Sequence, residues 1–336
     1  MKTIFFEVPK EEESLFTSEA SKLEISFFED KLNEENVALA KEAEIISVFI
    51  NSQLNKNMID LLPNLKLIVT RSTGFDHIDY EYCKTKGIVV SNVPAYGSNT
   101  VAEFTFALLL SLVRKVSQAH MQLKTGGVFS IEGFQGFDLK EKNIGIIGTG
   151  KIGKNVIKMA KGFGMNVIAY DLFPDMNFAK DNDFIYKSFD EVLMQSDIVT
   201  LHAPYTKENH HLINAEKIAL MKKGVFFINT ARGELVDTDA LVKALTSGQI
   251  GGAGLDVLEG ERELKEEMEI LSSLEKSARV KDYKILLEDR ALIDMPNVIV
   301  TPHIAFYSKE AVYEIVKTTI NNINSFMAGS PENQIK

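Results

Sequence analysis

The chain holds one cysteine, Cys83, in 336 residues. An intrachain disulfide and a thiolate zinc cluster are both excluded. Histidine is scarce too, with six residues at 77, 120, 202, 210, 211 and 303 and no H-E-x-x-H arrangement. His210 and His211 are adjacent, and adjacent side chains on a regular element point apart, so no metal site is expected. Charge of one sign never gathers into a tract. The formal net charge is -10, with lysines scattered among the acids. That leaves no basic groove for nucleic acid, and no acidic run long enough to make an interaction surface. Long hydrophobic runs are missing as well. The stretch from Met1 to Phe6 meets Glu7 and is too short for a signal-peptide core. The most apolar helix, around Phe104 to Val113, runs into Arg114 and is too short to span a bilayer. No membrane partner is expected, and the cytoplasm is the default location.

What is present suits a globular protein. Hydrophobic residues make up 45% of the chain and charged residues 25%, enough to bury sizeable cores across about two domains. Short apolar runs alternate with helical patterns from the start. Strands are expected at Thr3 to Val8, Glu44 to Ile50, Leu65 to Thr70 and Gly87 to Ser91, with helices at Lys56 to Leu62 and Tyr80 to Lys86. This βαβ alternation with short connections marks an open parallel sheet under helices. Asn92-Val-Pro-Ala-Tyr-Gly97 interrupts it. A single long helix is then expected from about Asn99 to Lys124. Ala102, Phe104, Phe106, Leu108, Leu109, Leu110, Leu112 and Val113 cover more than one of its faces, so it should be buried inside a domain or between subunits. A second βαβ series begins at Lys142, with strands near 143–147, 166–170, 184–186, 197–201, 225–228, 251–255 and 298–300. Residues 262–294, rich in Glu, Lys and Arg, read as an inserted surface helical segment. A final helix, Phe306 to Met327, should return to the first domain.

The most informative stretch opens the second series. Ile144, Ile146 and Ile147 form a buried-strand pattern that runs into Gly148, Gly150 and Gly153, a G-x-G-x-x-G. Gly148 permits the tight turn, Gly150 lets backbone approach a pyrophosphate, and Gly153 lets the helix pack on the strand. The helix start offers unpaired N–H groups to phosphate oxygens. Asp171 ends the next apolar run, 23 positions after Gly148, where a carboxylate can accept from a ribose diol and repel a 2′-phosphate. NAD is expected as cofactor rather than NADP.

Three further stretches fall at strand ends, where open α/β sheets bind ligands. Arg232 follows Phe227-Ile-Asn-Thr-Ala, and its planar fork suits a small carboxylate. A surface pair with Glu234 or Asp237 is the plainer alternative. Asp256 follows the small-residue run Gly251-Gly-Ala-Gly-Leu, and Glu261 comes five positions later. His303 directly follows a strand and Pro302. If Glu261 reached it, the carboxylate would favour imidazolium and fix the tautomer, making His303 a proton donor.

Together these residues resemble the D-isomer-specific 2-hydroxyacid dehydrogenase family. The resemblance covers almost the whole chain. It includes Arg71-Ser-Thr-Gly-Phe-Asp-His-Ile-Asp79, Asn92-Val-Pro-Ala-Tyr96, Val101-Ala-Glu103, Gly145 to Gly153, Leu201-His-Ala-Pro204, Ile228-Asn-Thr-Ala-Arg-Gly233, Gly254-Leu-Asp256 and Thr301-Pro-His-Ile-Ala305. Ala305-Phe-Tyr307 is most similar to the D-lactate and D-2-hydroxyisocaproate branch. The resemblance implies an α/β fold of two doubly wound parallel-sheet domains. A Rossmann NAD-binding domain (100–303) would be inserted into a flavodoxin-like substrate domain (1–99 and 304–336). It implies that His303 is the acid/base, Glu261 its carboxylate partner and Arg232 the group holding the substrate carboxylate. Backbone N–H groups of Thr73 and Gly74 would bind that carboxylate, with Tyr96 and Phe306 lining the pocket. Thr73 stands where the family has an apolar residue. Lys151 and Ile152 would lie over the pyrophosphate. Ala203, Pro204, Asn209, Thr230 and Ala231 would wall the cofactor cleft, with Asp256 near the nicotinamide amide. The implied reaction is NAD-dependent reduction of pyruvate or a close 2-keto acid to the D-2-hydroxy acid, and the largely apolar helix near 100–113 suggests a homodimer through the cofactor domain. Glyoxylate/hydroxypyruvate or phosphoglycerate dehydrogenase activity, and an NAD-sensing protein without catalysis, are the alternatives.

Overall fold

The computed structural model describes residues 1–19, 24–127, 129–261, 264 and 283–335. The chain forms two units, Met1–Tyr96 with Tyr307–Lys336, and Gly97–Phe306.

The first unit is built on five parallel strands: β1 (Thr3–Phe5), β2 (Ile25–Phe27), β3 (Ile45–Val48), β4 (Leu67–Thr70) and β5 (Val89–Ser91), in the order β2-β1-β3-β4-β5. Every residue of β3 and β4 is buried, because helices cover both faces of the sheet. On one face Ile4, Ile46, Ile68 and Val90 meet Met58, Ile59 and Cys83. On the other, Phe5, Ile45, Leu67 and Val69 meet Phe16 and the stripe Val316, Ile320 and Ile323 of the helix Lys309–Met327. The Ser308 hydroxyl caps that helix by accepting from the Ala311 N–H at 3.2 Å. Strand β2 has no counterpart in the sequence expectation. It is a three-residue edge strand close to Glu24 and Glu29, too short to show a period.

The second unit has seven parallel strands: β6 (Asn143–Ile147), β7 (Asn166–Tyr170), β8 (Ile185–Tyr186), β9 (Ile198–Leu201), β10 (Val225–Asn229), β11 (Ile250–Leu255) and β12 (Val298–Val300). Their order is β12-β11-β10-β9-β6-β7-β8. The chain leaves β6 toward β7 and β8, then returns to place β9 on the other side of β6. The crevice at the carboxyl ends of β6 and β9 is therefore the topological switch point. The single long helix expected over 99–124 is two helices, Ser98–Val113 and Val116–Gly126, broken at Lys115 with φ 54°. The first buries Val101, Ala102, Phe106, Leu109 and Leu112, and the second buries nothing. With no core face to continue along, the chain turns away, and Lys115 Nζ donates to the Gly133 carbonyl at 2.7 Å. Most of the inserted segment expected over 262–294 lies outside the described residues. Its end, Tyr283–Asp294, is a helix that buries Leu286 and Leu292. No helix among the described residues is long and apolar enough to cross a membrane.

Candidate active site

The β6 turn is shaped by contacts that only glycine permits. Gly148 has φ 93°, and a Cβ there would lie 2.6 Å from the Ala203 nitrogen. A Cβ on Gly153 would lie 2.1 Å from the Gly148 carbonyl oxygen. Gly150 differs, because the space around its missing Cβ is open. It is the N-cap of the helix Lys151–Gly162 and has no side chain to satisfy the first N–H groups. That leaves an uncapped helix N-terminus facing open space, which is the physical requirement for an anion. Lys151 is exposed on the first turn, while Ile152 packs partly onto the core.

Asp171 stands at the end of β7. Its Oδ2 accepts from the Thr149 N–H at 2.6 Å and hydroxyl at 2.9 Å, and its Oδ1 from the Phe173 N–H at 2.9 Å. Partial burial works to raise its pKa, but the Phe173 and Thr149 donors outweigh that and hold it below the usual carboxylate range. The charge a ribose diol needs is thus maintained. Beyond β9, the His202 N–H donates to the Ile147 carbonyl at 2.7 Å, closing the crevice wall. Burial pushes the His202 imidazole down to about 3, so this ring is neutral at ordinary pH. Ala203 and Pro204 follow, and Asn209 stitches their loop by donating to the Pro204 carbonyl and accepting from the Thr206 N–H.

Arg232 lies in the turn after β10. Asn229 shapes that turn, accepting from the Ala231 N–H at 3.0 Å and donating to the Arg232 carbonyl at 2.8 Å. Among the described residues the Arg232 guanidinium donates one hydrogen bond, to the Ala231 carbonyl at 2.7 Å. It makes no ion pair with Glu234 or Asp237 among the described residues. Thr230 is anchored by a 3.0 Å hydroxyl contact with Thr105. A Cβ on Gly233 would lie 2.1 Å from the Leu258 carbonyl carbon, so the Arg232 turn presses directly on the segment that leads to Glu261.

Glu261 and His303, 42 residues apart, meet: His303 Nδ1 lies 3.0 Å from Glu261 Oε2. Glu261 Oε1 accepts from the Leu258 N–H at 3.2 Å. His303 adopts φ 55°, a left-handed conformation sparsely populated for a residue with a side chain. Asp256 explains how it is held there. Its carbonyl accepts from the His303 N–H at 2.9 Å. Its carboxylate takes the Thr301 hydroxyl at 2.6 Å, the Ile304 N–H at 2.9 Å and the Ala305 N–H at 2.8 Å. Burial raises the Asp256 pKa despite these three donors. Asp256 thus acts as the latch of the 301–305 turn. Phe306 sits edge-on to the His303 ring, 6.5 Å between centroids.

In the first unit, the loop after β4 carries Thr73 and Gly74. Their N–H groups make no hydrogen bond among the described residues. The Thr73 hydroxyl donates to the Val93 carbonyl at 2.9 Å, and Asn92 donates to the Thr73 carbonyl at 2.8 Å. The polar side chain that departs from the family pattern is thereby spent inside the unit, and the backbone is what the loop presents. Buried Arg71 braces the same loop, donating to the Phe6 and Glu7 carbonyls and the Ser47 hydroxyl. Tyr96, half-buried, ends this part of the unit.

Residues 106–305 match the D-isomer specific 2-hydroxyacid dehydrogenase NAD binding domain. The chain belongs to that family. Relatives match along nearly the whole length of this dehydrogenase. The 2-hydroxyacid dehydrogenase homolog 1 of Schizosaccharomyces pombe is 40% identical over 332 residues, 97% of this chain and 96% of that protein. The aromatic 2-oxoacid reductase of Clostridium sporogenes is 41% identical over 303 residues, 88% of this chain and 87% of that one. The crystal structure of D-lactate dehydrogenase from Aquifex aeolicus, complexed with NAD and lactic acid, has a TM-score of 0.87 at 38% identity and covers 98% of this chain and 96% of that one.

The cofactor of this dehydrogenase is NAD, and the second unit fits it: an uncapped helix N-terminus at Gly150, bare of side chains, with a charged Asp171 at the end of the neighbouring strand. Sequence reasoning assigned no role to Thr149, Asn229, Thr105 or Thr301, which hold Asp171, the Arg232 turn, Thr230 and Asp256 respectively. Only Asn229 carried a local signal, since an asparagine two residues before a turn N–H is a turn-forming pattern.

Proposed function

We propose that this dehydrogenase reduces a small 2-keto acid, pyruvate or a close analogue, to the D-2-hydroxy acid, with His303 as acid/base. The observation that carries this reading is the 3.0 Å contact between His303 Nδ1 and Glu261 Oε2. Donation from Nδ1 to the carboxylate leaves Nε2 to hold the transferable proton. Glu261 stabilises the imidazolium and fixes its orientation. Arg232, unpaired with any carboxylate among the described residues, holds the substrate carboxylate through its fork and polarises the adjacent carbonyl. Thr73 and Gly74, with Tyr96, are the substrate-binding groups assigned to the first unit, and Phe306 lines the pocket beside His303. Lys151, Ile152, Ala203, Pro204, Asn209, Thr230 and Ala231 hold the dinucleotide with the three glycines and Asp171. Asp256 serves the nicotinamide end by fixing the 301–305 turn. When bound, the dinucleotide supplies the hydride equivalent that reduces the carbonyl carbon. His303 protonates the carbonyl oxygen as charge develops there, and takes the proton back in the oxidative direction.

We also infer a cytoplasmic homodimer, with the second unit as the paired surface. The helix Ser98–Val113 does not supply the paired surface, because its apolar residues are used inside the unit. Support comes from Val116, Met121 and Leu123 on the next helix and from Phe129 and Ile131, exposed at 94% and 93%.

The test uses the purified full chain with NADH, following cofactor absorbance with pyruvate, 2-ketoisocaproate, phenylpyruvate, glyoxylate, hydroxypyruvate and 3-phosphohydroxypyruvate. The expected result is the highest kcat/KM on pyruvate or 2-ketoisocaproate, with a D-configured product. His303→Ala should lose roughly two to four orders of magnitude in kcat while NADH still binds. A preference for glyoxylate or the phosphorylated acid would overturn the substrate. NADH binding without turnover on any acid would favour a sensing protein.

A further inference from the structure

His210 and His211 follow the short helical turn Lys207–Asn209 on irregular backbone, where the rule that adjacent side chains diverge does not hold. His211 has φ 54°, left-handed and disfavoured for a residue with a Cβ. The two imidazoles consequently stack, with centroids 3.9 Å apart and planes 23° apart. Glu259, from the segment after β11, approaches the same point, and its Oε1 lies 2.7 Å from His211 Nε2. One ring nitrogen from each histidine and one Glu259 oxygen all fall within 4.8 Å of one another.

We propose that His210, His211 and Glu259 form a binding site for a divalent transition-metal ion of zinc's class. Two imidazoles and a carboxylate are a borderline-soft donor set that such ions favour over magnesium or calcium. Bonds of about 2.0–2.2 Å put tetrahedral ligand atoms roughly 3.3–3.5 Å apart. The 2.7 Å edge must open slightly as a metal replaces the shared proton, and an edge near the 4.8 Å limit must close by about 1.3–1.5 Å. The residue free to make that movement is His210, the exposed member of the three. An outer shell is present. The Thr238 hydroxyl donates to Glu259 Oε2 at 2.9 Å, and the Tyr205 hydroxyl lies 3.5 Å from His210 Nδ1. Carboxylates accumulate nearby, since Glu259 and Glu261 both act electrostatically on Glu234. A plain hydrogen bond between His211 and Glu259 accounts for one edge of the triangle. It does not account for the left-handed residue that brings a second imidazole to the same carboxylate. Once bound, the ion would join the loop carrying Pro204 and Asn209 to the segment carrying Glu261, stiffening the second unit from outside the reacting groups. The site does not depend on the assignment of the substrate.

The experiment titrates zinc alone, without NAD or keto acid, into the chelator-stripped full chain by calorimetry, with thermal melts alongside. One saturable site per chain is expected, together with a zinc-dependent rise in the melting midpoint. His210→Ala keeps the His211–Glu259 hydrogen bond and so should fold, but it should bind zinc roughly tenfold or more weakly and lose the thermal shift. Glu259→Gln should do the same. His303→Ala should bind zinc like the parent chain, separating this site from the other histidine–glutamate pair. Equal zinc affinity in the parent and His210→Ala, or no saturable binding at high micromolar zinc, would overturn the proposal.

Discussion

Replacing Glu261 by glutamine isolates the electrostatic part of the His303 pair. Glutamine has the same length, and its carbonyl oxygen can accept from either His303 Nδ1 or the Leu258 N–H, so ring orientation and tautomer can persist while the charge is lost. A hydrogen bond to a charged partner contributes about 1.5–3 kcal/mol. Here the two side chains are 23% and 27% exposed, and that partial solvation trims the difference to about 1–2 kcal/mol. On the proposed role, the loss falls on the state in which His303 carries its proton, the state that would donate in reduction. The expected effect is therefore a roughly 5- to 30-fold fall in kcat, with KM for NADH unchanged. Single-turnover mixing of the NADH-loaded chain with pyruvate reads the chemical step directly. A rate within twofold of the parent would show that the carboxylate only fills space beside the imidazole, and the stabilising role of Glu261 would be lost.

Arg232→Lys keeps the charge but not the fork, so KM for the keto acid should rise and kcat fall together; parent-like steady-state kinetics would remove Arg232 from substrate binding. Asp171→Ala should lower the ratio of kcat/KM with NADH to that with NADPH, and because Thr149 and Phe173 lose their acceptor, NADH affinity should fall as well; an unchanged ratio would contradict the ribose role. His202 yields a pH prediction. Its folded pKa near 3 lies below the unfolded 6.5, so the unfolded chain binds the extra proton and stability falls as pH drops through that window. Allowing for partial solvent access to the ring, the parent should lose about 2 kcal/mol more than His202→Asn between about pH 6 and about pH 4. Urea unfolding at the two pH values measures this, and parallel losses would refute it.

The parts of the fold legible from sequence are those whose physical cause is local. β6, its glycines and Asp171 lie within 29 consecutive positions, 143–171; Gly153 answers to Gly148 in the same turn and Gly148 to the His202–Ala203 loop, while Gly150 leaves open space. The central strands announce themselves as largely apolar runs, broken only by Ser47, Thr70 and Thr200, because both faces are covered. The features that escaped are those decided by pairing or by a single dihedral. β2 is a strand only because β1 offers it an edge. The break at Lys115 and the stacking of His210 on His211 each turn on one left-handed residue, which leaves no trace in periodicity. Asp256 shows the same limit from the other side. Its position after β11 is readable, but its attachment to Thr301, Ile304 and Ala305 exists only because β12 is hydrogen-bonded beside β11.

The arrangement of the second unit also indicates why its chemistry-bearing loops can be short and still exact in placement. Two of them are fixed by backbone against backbone, and the third by a carboxylate on backbone N–H groups. Gly148 lets the β6 turn rest on His202 and Ala203, Gly233 lets the Arg232 turn rest on Leu258 and Glu259, and Asp256 seizes two consecutive N–H groups beyond His303. The two glycine contacts have no rotamers to sample, so they locate a loop more tightly than an equal number of side-chain contacts. The side chains at the loop tips are then spared a structural duty. His303 spends one ring nitrogen on Glu261, and Arg232 spends one N–H on its own turn, which leaves the rest of each group for a ligand. The glycines and Asp256 bear the cost of order here, and His303 and Arg232 are left with hydrogen-bonding capacity to use.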